Sequence, residues 1–138
     1  MQLGGERIIE IPIIKNYLNR YGSNKYNILE VGNVFSHYYP IKHKVIDKYE
    51  KSKFASNIDV IDFDDGKKYD LIVSISTLEH VGFDEEIKDR TKFFKSLIHL
   101  RSLLTKKGKL IFTVPLGYNP DVDKTIYDNL INFDASIF

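Results

Sequence analysis

The stretch "ILEVGNVFSHYYP", Ile28 to Pro40, decides how the rest of the chain is read. It begins as a short apolar run ending on a glycine, the form of a buried strand that feeds a ligand-binding turn. Such turns usually carry several glycines, because glycine permits positive φ and lets a ligand come close to the backbone. Here Gly32 is followed by Asn33, Val34 and Ser36. The stretch is therefore a cofactor turn, an altered cofactor turn, or a buried strand with a glycine after it.

Upstream, in "IPIIKNYLNRYG", Ile14, Tyr17, Leu18 and Tyr21 recur at helical spacing, with Pro12 suited to a first turn and Gly22 to an end. Downstream come "HKVID", "NIDVI", "DLIVSI" and "KLIFTV", short β-branched runs that predict further buried parallel strands. Between the last two lies "DEEIKDRTKFFKSLIHLRSLLTKKG", where Phe93, Leu97, Leu100 and Leu104 share one helical face. Asp84 is the expected cap and Gly108 the expected stop, with Glu85 and Glu86 in the first turn and Lys106 and Lys107 near the last.

Strand, long helix and strand make a right-handed crossover, so the expected fold is an α/β, Rossmann-like open sheet, mainly parallel, of about five strands with flanking helices. A chain of 138 residues fits one domain: a helical segment over 1–26, a core over 27–115 and a tail over 116–138. Ligands of such sheets bind beyond the carboxyl ends of the strands, where strand order reverses. That selects Gly32 to His37, Asp47, Asp59 to Asp62 and Ser74 to His80.

Charge narrows the function. Twenty basic and nineteen acidic residues leave a net charge of +1, too little to concentrate a phosphate polymer, so nucleic-acid binding is not expected. There is no cysteine, and His37, His43, His80 and His99 show no paired ligand spacing, so no metal site is expected. No window reaches the roughly 18 apolar residues of a membrane span, and the cytoplasm is the default address.

Three carboxylates could line one sheet edge: Glu30 in the first strand, Asp47 after the second and Asp59 in the third. An acid after the second strand can accept from a ribose diol, and one near the third from an adenine amino group. At these residues the chain resembles the class I S-adenosylmethionine-dependent methyltransferases over about Asn27 to Pro115. "ILEVG", "VIDKYE", "IDVIDF", "YDLIVSISTLEHV" and "LRSLLTKKGKLIFTVP" match that family's motifs in order.

The resemblance implies a small-molecule methyltransferase with S-adenosylmethionine as cofactor. It places Glu30, Gly32 and Asn33 by the methionine part, Asp47 by the ribose, Asp59 by the adenine, and Ser74 and Ser76 beside the sulfonium. His80, or His37, is the candidate base toward a hydroxyl acceptor.

The chain departs from the family at three places. Val34 and Ser36 replace glycines, so the loop takes another path or the cofactor sits differently. Only residues 33–43 precede the second strand, too few for a full crossover helix, and the side chains of "FSHYYP" are expected to compensate, with Phe35, Tyr38 and Tyr39 placed to stack on an acceptor. The usual C-terminal strand hairpin is lacking, which leaves the fifth strand as an edge and predicts self-association through it or the tail. The alternative function is a methyltransferase-like domain without efficient cofactor binding that serves as a binding or assembly partner. A nucleotide-binding oxidoreductase suffers more from the missing glycines.

Overall fold

The computed structural model describes residues 5–22, 24–130 and 132. Its centre is the run Tyr69–Ile75, strand β4, which is buried on both faces and therefore reads in sequence as almost unbroken apolar residues. Around it lie β1 (Ile28–Val31), β2 (Lys44–Ile46), β3 (Ala55–Ser56) and β5 (Leu104–Thr113), all parallel, in the order β3-β2-β1-β4-β5. The expected open Rossmann-like sheet is thus present. Strand order reverses between β1 and β4, so their carboxyl ends flank the crevice that such sheets use.

Alternation along β4 assigns the faces. Leu71, Val73 and Ile75 pack against Ile11 and Ile14 of helix α1 (Gly5–Arg20), with Tyr17, Leu18 and Tyr21 beside them. Ile72 faces the other side, toward Phe93, Leu97 and Leu100 of helix α2 (Lys92–Ser102). Each of these three α2 side chains contributes on the order of 2 kcal/mol by burial, so packing holds a helix of 11 residues that is too short to be stable alone.

Several element boundaries differ from those the sequence predicts. Pro12 lies inside α1, not in its first turn. Pro12 is exposed, and so is Ile8, whose carbonyl the proline leaves without a helical donor, so that carbonyl is within reach of solvent. Helix α2 begins at Lys92 because Asp89 organises the entry: its Oδ1 accepts from the Thr91 N–H at 2.9 Å and its carbonyl from Lys92 at 3.1 Å. Asp84, Glu85 and Glu86 therefore precede the helix.

Leu104 starts β5, and Lys106, Lys107 and Gly108 belong to that strand instead of a helix end. Register jumps from Tyr69 opposite Leu104 to Leu71 opposite Lys109, and a Cβ on Gly108 would lie 2.7 Å from the Tyr69 carbonyl. That glycine serves a strand irregularity. The "NIDVI" segment is not a strand; pairing stops at Ser56, and Asp59 to Asp62 form a turn closed by an Asp62 N–H bond to the Asp59 carbonyl.

Between β1 and β2 there is only a single 3-10 turn, Phe35–His37, as the short spacing requires. At the other end Asn119 caps helix α3 (Pro120–Tyr127) by accepting from Asp121 N–H at 2.9 Å, and Val122 joins the α2 side of the core. β5 stands at the sheet edge, with no outer strand neighbour among the described residues. No helix among them is long and apolar enough to cross a membrane.

Candidate functional site

A cleft of about 250 Å3 opens at the carboxyl ends of β1, β2 and β4. Gly32, Asp47, Asp59, Ser76 and His80, drawn from four separate stretches of sequence, all line it. Its apolar wall comes from Ile46, Ile58, Val60 and Val81. Glu30, Asn33 and Ser74 lie behind this surface. A second cleft, of about 280 Å3, lies beyond Val81 between Lys88–Arg90 and Asn119–Asp121, and no strand-end residue lines it.

Gly32 has φ +87°, and a Cβ there would fall 2.1 Å from Thr77 Oγ1. Only glycine fits, and the group that approaches it closely is the chain's own threonine. The loop then follows a path open to ordinary residues, with Val34 at φ −111°. It is held from inside the protein. Glu30, fully buried, accepts at Oε2 from Val34 N–H and Phe35 N–H, both at 3.0 Å, while Oε1 meets His43 Nε2 at 2.7 Å. Phe35 and Tyr39 stack with each other, and Tyr38 and Tyr39 pack in the α1 side of the core instead of at the cleft. His37 pairs outward with Glu50 at 2.6 Å.

Asn33 donates its N–H to Asp47 Oδ2 at 2.9 Å and accepts at Oδ1 from Ser36 Oγ at 2.6 Å. Its buried Nδ2 has no hydrogen-bond partner among the described residues, and Asn33 is not among the residues that line the cleft. Asp47 Oδ1 accepts from the N–H groups of Tyr49 and Glu50 at 3.0 and 2.9 Å. A carboxylate offers about four acceptor positions. Three are used by the backbone, which fixes the side chain, and one remains for a ligand hydroxyl.

Asp59 belongs to a charge cluster that closes one end of the cleft. Lys92 Nζ lies 2.7 Å from both Asp59 Oδ2 and Glu85 Oε1, and Lys48 Nζ bridges the same two carboxylates, at 3.0 Å from Asp59. Burial opposes the ionisation of Asp59 and Glu85, but the two ammonium groups outweigh it and hold both carboxyls below their ordinary range. Replacing Lys92, which is buried, with methionine is expected to cost about 2 kcal/mol, because Lys48 still pairs both acids. Lys48→Met, at a partly exposed site, is expected to cost under about 1 kcal/mol. Urea unfolding of both variants measures the difference.

At the end of β4, Ser74 Oγ donates to the Val31 carbonyl at 2.8 Å and ties β4 to β1. Ser76 has φ +40°, a costly conformation for a non-glycine residue and one that clusters at functional sites. Its Oγ donates to Glu10 Oε1 at 2.5 Å, while Arg7 Nη1 reaches the Ile75 carbonyl at 3.4 Å, so the first turns of α1 are fastened to the cleft edge.

His80 is half-exposed, with Nδ1 on Asp84, whose Oδ2 also accepts from Tyr118. Behind it Glu79 is 2% exposed, with Oε1 3.5 Å from His80 Nε2 and Oε2 without a hydrogen-bond partner among the described residues. Burial is the main cause that pushes the Glu79 carboxyl up to about 7, with Glu10 adding to it and His80 and Arg7 opposing it.

Sequence reasoning missed Glu10, Lys48, Glu79, Glu85 and Lys92. The one signal available was Glu79 set inside the apolar end of "STLEHV". Asp70 and His99 proved structural, Asp70 by accepting from Asn27 N–H at 2.8 Å and His99 by meeting the Phe63 carbonyl at 2.7 Å.

No family model matches the chain, and no curated protein does either. Among solved structures it is similar to the N-methyltransferase NodS from Bradyrhizobium japonicum WM9, a structure in complex with S-adenosyl-L-homocysteine, at 20% identity and a TM-score of 0.56. The match covers 78% of this chain and 60% of that one, so the chain spans less than two thirds of that protein's length. The chain thus shares the fold of an S-adenosylmethionine-dependent methyltransferase.

Proposed function

We propose that the protein transfers a methyl group from S-adenosylmethionine to a small-molecule acceptor, such as a sugar or other metabolite, in the cytoplasm. The observation that carries this reading is the convergence of Gly32, Asp47, Asp59, Ser76 and His80 on one cleft at the switch point of the methyltransferase fold. The residues fit an adenosine-containing ligand. Asp47 keeps one acceptor position for a ribose hydroxyl, and Ile58 and Val60 offer an apolar wall for a base. Glu30 and Ser74 act from behind by fixing the loop and the strand pair.

When bound, the cofactor supplies a methyl group on a positively charged sulfur, already a good leaving group. What remains for the protein is alignment and exclusion of water. The Asp47 and Asp59 carboxylates would hold the nucleoside end, the Ser76 turn and Thr77 shape the space near Gly32, and His80 at the rim is the group placed to take a proton. Asp47→Ala is expected to weaken S-adenosylmethionine binding by roughly 10- to 100-fold, the worth of one hydrogen bond to a charged group. Calorimetric titration of a variant whose circular dichroism matches the wild type checks this; unchanged affinity removes Asp47 from the site.

The second reading, a methyltransferase-like domain with little cofactor affinity that acts in assembly, is favoured by a specific observation. Two loop amides that could receive a ligand carboxylate, those of Val34 and Phe35, are already spent on Glu30, and Lys48 and Lys92 occupy Asp59. Both readings include self-association through the open β5 edge or the tail. Sedimentation velocity is expected to show a dimer growing with concentration, and a monomer at every concentration contradicts it.

A further inference from the structure

The second cleft has no role in the reading above, yet its walls are firmly built. It holds about 280 Å3, and its apolar side is made by Val81, Phe83, Phe93 and Pro120. Phe93 is buried in the core, and Phe83 meets the Tyr118 ring edge-on at 5.4 Å. Two ties fix the walls. The Asp89 N–H bonds the Gly82 carbonyl at 2.9 Å, and Gly82 has φ +74° where a Cβ would overlap the Asp89 carbonyl, so the loop closes on itself only with glycine there. From the other side Asn119 Nδ2 bonds the Glu79 carbonyl at 2.8 Å and holds the start of α3 against the turn after β4. A cleft formed before its ligand arrives loses little affinity to ordering.

The charges lining it leave one cation over. Arg90 Nη2 and Nε reach the Asp121 carboxylate at 3.0 and 3.3 Å, a bidentate pair that joins the loop to α3. Asp89 Oδ1 accepts from the N–H and the hydroxyl of Thr91, and its Oδ2 lies 3.5 Å from Lys95 Nζ. Lys88 Nζ donates only to the Phe83 carbonyl, at 2.9 Å, and forms no ion pair among the described residues. Asp84, on the same loop, is engaged by His80 and Tyr118. An ammonium group with donors to spare beside an apolar hollow fits a flat apolar molecule that carries a carboxylate. The two clefts also meet. Val81 lines both, and the rings of His80, Tyr118 and Phe83 form an edge-on row from the first to the second, with successive centroids 5.3 and 5.4 Å apart.

We propose that the second cleft is the acceptor site and that it takes a small aromatic carboxylic acid, with the ring against Phe83 and Phe93 and the carboxylate on Lys88. Its size suits one substituted ring, at the lower end of ligand pockets. That the bound acid is the acceptor rests on the methyltransferase reading. That the acid binds does not, because the walls and the charge of this cleft are complete without the cofactor.

The experiment is a titration of the full, ligand-free chain with benzoate, followed through its backbone amide shifts by NMR. Saturable shifts centred on Gly82, Phe83 and Lys88 are expected in the millimolar range, the strength open to a ligand of so few atoms. Benzylamine, the same ring with the opposite charge, is expected to bind at least about 10-fold more weakly. Lys88→Met, at an exposed position, is expected to weaken benzoate by about 5- to 10-fold and to leave uncharged benzamide unchanged. Shifts that do not saturate, that scatter over the other surface lysines, or that are equal for benzoate and benzylamine overturn the proposal. Calorimetry with S-adenosylmethionine decides the other reading separately. A chain that binds S-adenosylmethionine but not benzoate refutes the acceptor site alone, and one that binds benzoate but not S-adenosylmethionine refutes the acceptor role together with the reading it rests on.

Discussion

Glu30→Ala is expected to lower the stability of the fold by about 3 to 5 kcal/mol, the range for breaking a buried charged contact. Three interactions disappear together, and two of them leave the buried N–H groups of Val34 and Phe35 without acceptors while His43 loses its partner. A domain of this size has roughly 5 to 15 kcal/mol in total. Glu30→Gln keeps the acceptor oxygen for both amides and is expected to cost only about 1 to 2 kcal/mol. Urea unfolding of the pair separates the two roles. Equal losses would show that charge, and not the loop amides, accounts for the effect.

The second large effect is a loss of stability as pH rises. Glu79 has a folded-state pKa raised from 4.5 to about 7, so between those values the folded chain holds a proton that the unfolded chain has released. Stability therefore falls as pH rises through this window, and the loss is complete above about 7. Its ceiling is about 3 kcal/mol, from some 2.5 pH units at 1.36 kcal/mol each. Glu79→Gln removes that slope, so the variant is expected to gain on the wild type from pH 4.5 to 8, most of it by pH 7. Thermal unfolding at a series of pH values checks this, and parallel curves would show that Glu79 ionises without hindrance.

The sheet was legible because β4 and most of β1 are buried and read as mainly apolar runs, and the half-buried second half of β5 keeps the apolar residues Leu110, Ile111 and Phe112; α1 was legible because Ile14, Tyr17, Leu18 and Tyr21 cover one face. What stayed hidden depends on contacts between distant residues. Glu85 reads as a helix-start acid from its neighbours alone, yet it ends up buried between Lys48 and Lys92. Gly108 reads as a helix stop, but its use is the close approach to Tyr69 across the sheet.

The loop after Gly32 was the hardest part to read. The absence of further glycines signalled a different path, and the structure gives its cause: an internal carboxylate, Glu30, does for the loop amides what a ligand would otherwise do. Asp47 was placed at the cleft by its position after an apolar strand, a local signal that long-range contacts did not override.

The most direct test of the account is calorimetric titration of the folded protein with S-adenosylmethionine and S-adenosylhomocysteine, with NAD as control. Selective binding in the micromolar range, about −8 kcal/mol, is the expected result. No binding at millimolar cofactor would contradict it, and would leave the Glu30-filled loop as the mark of a domain that has given up its ligand.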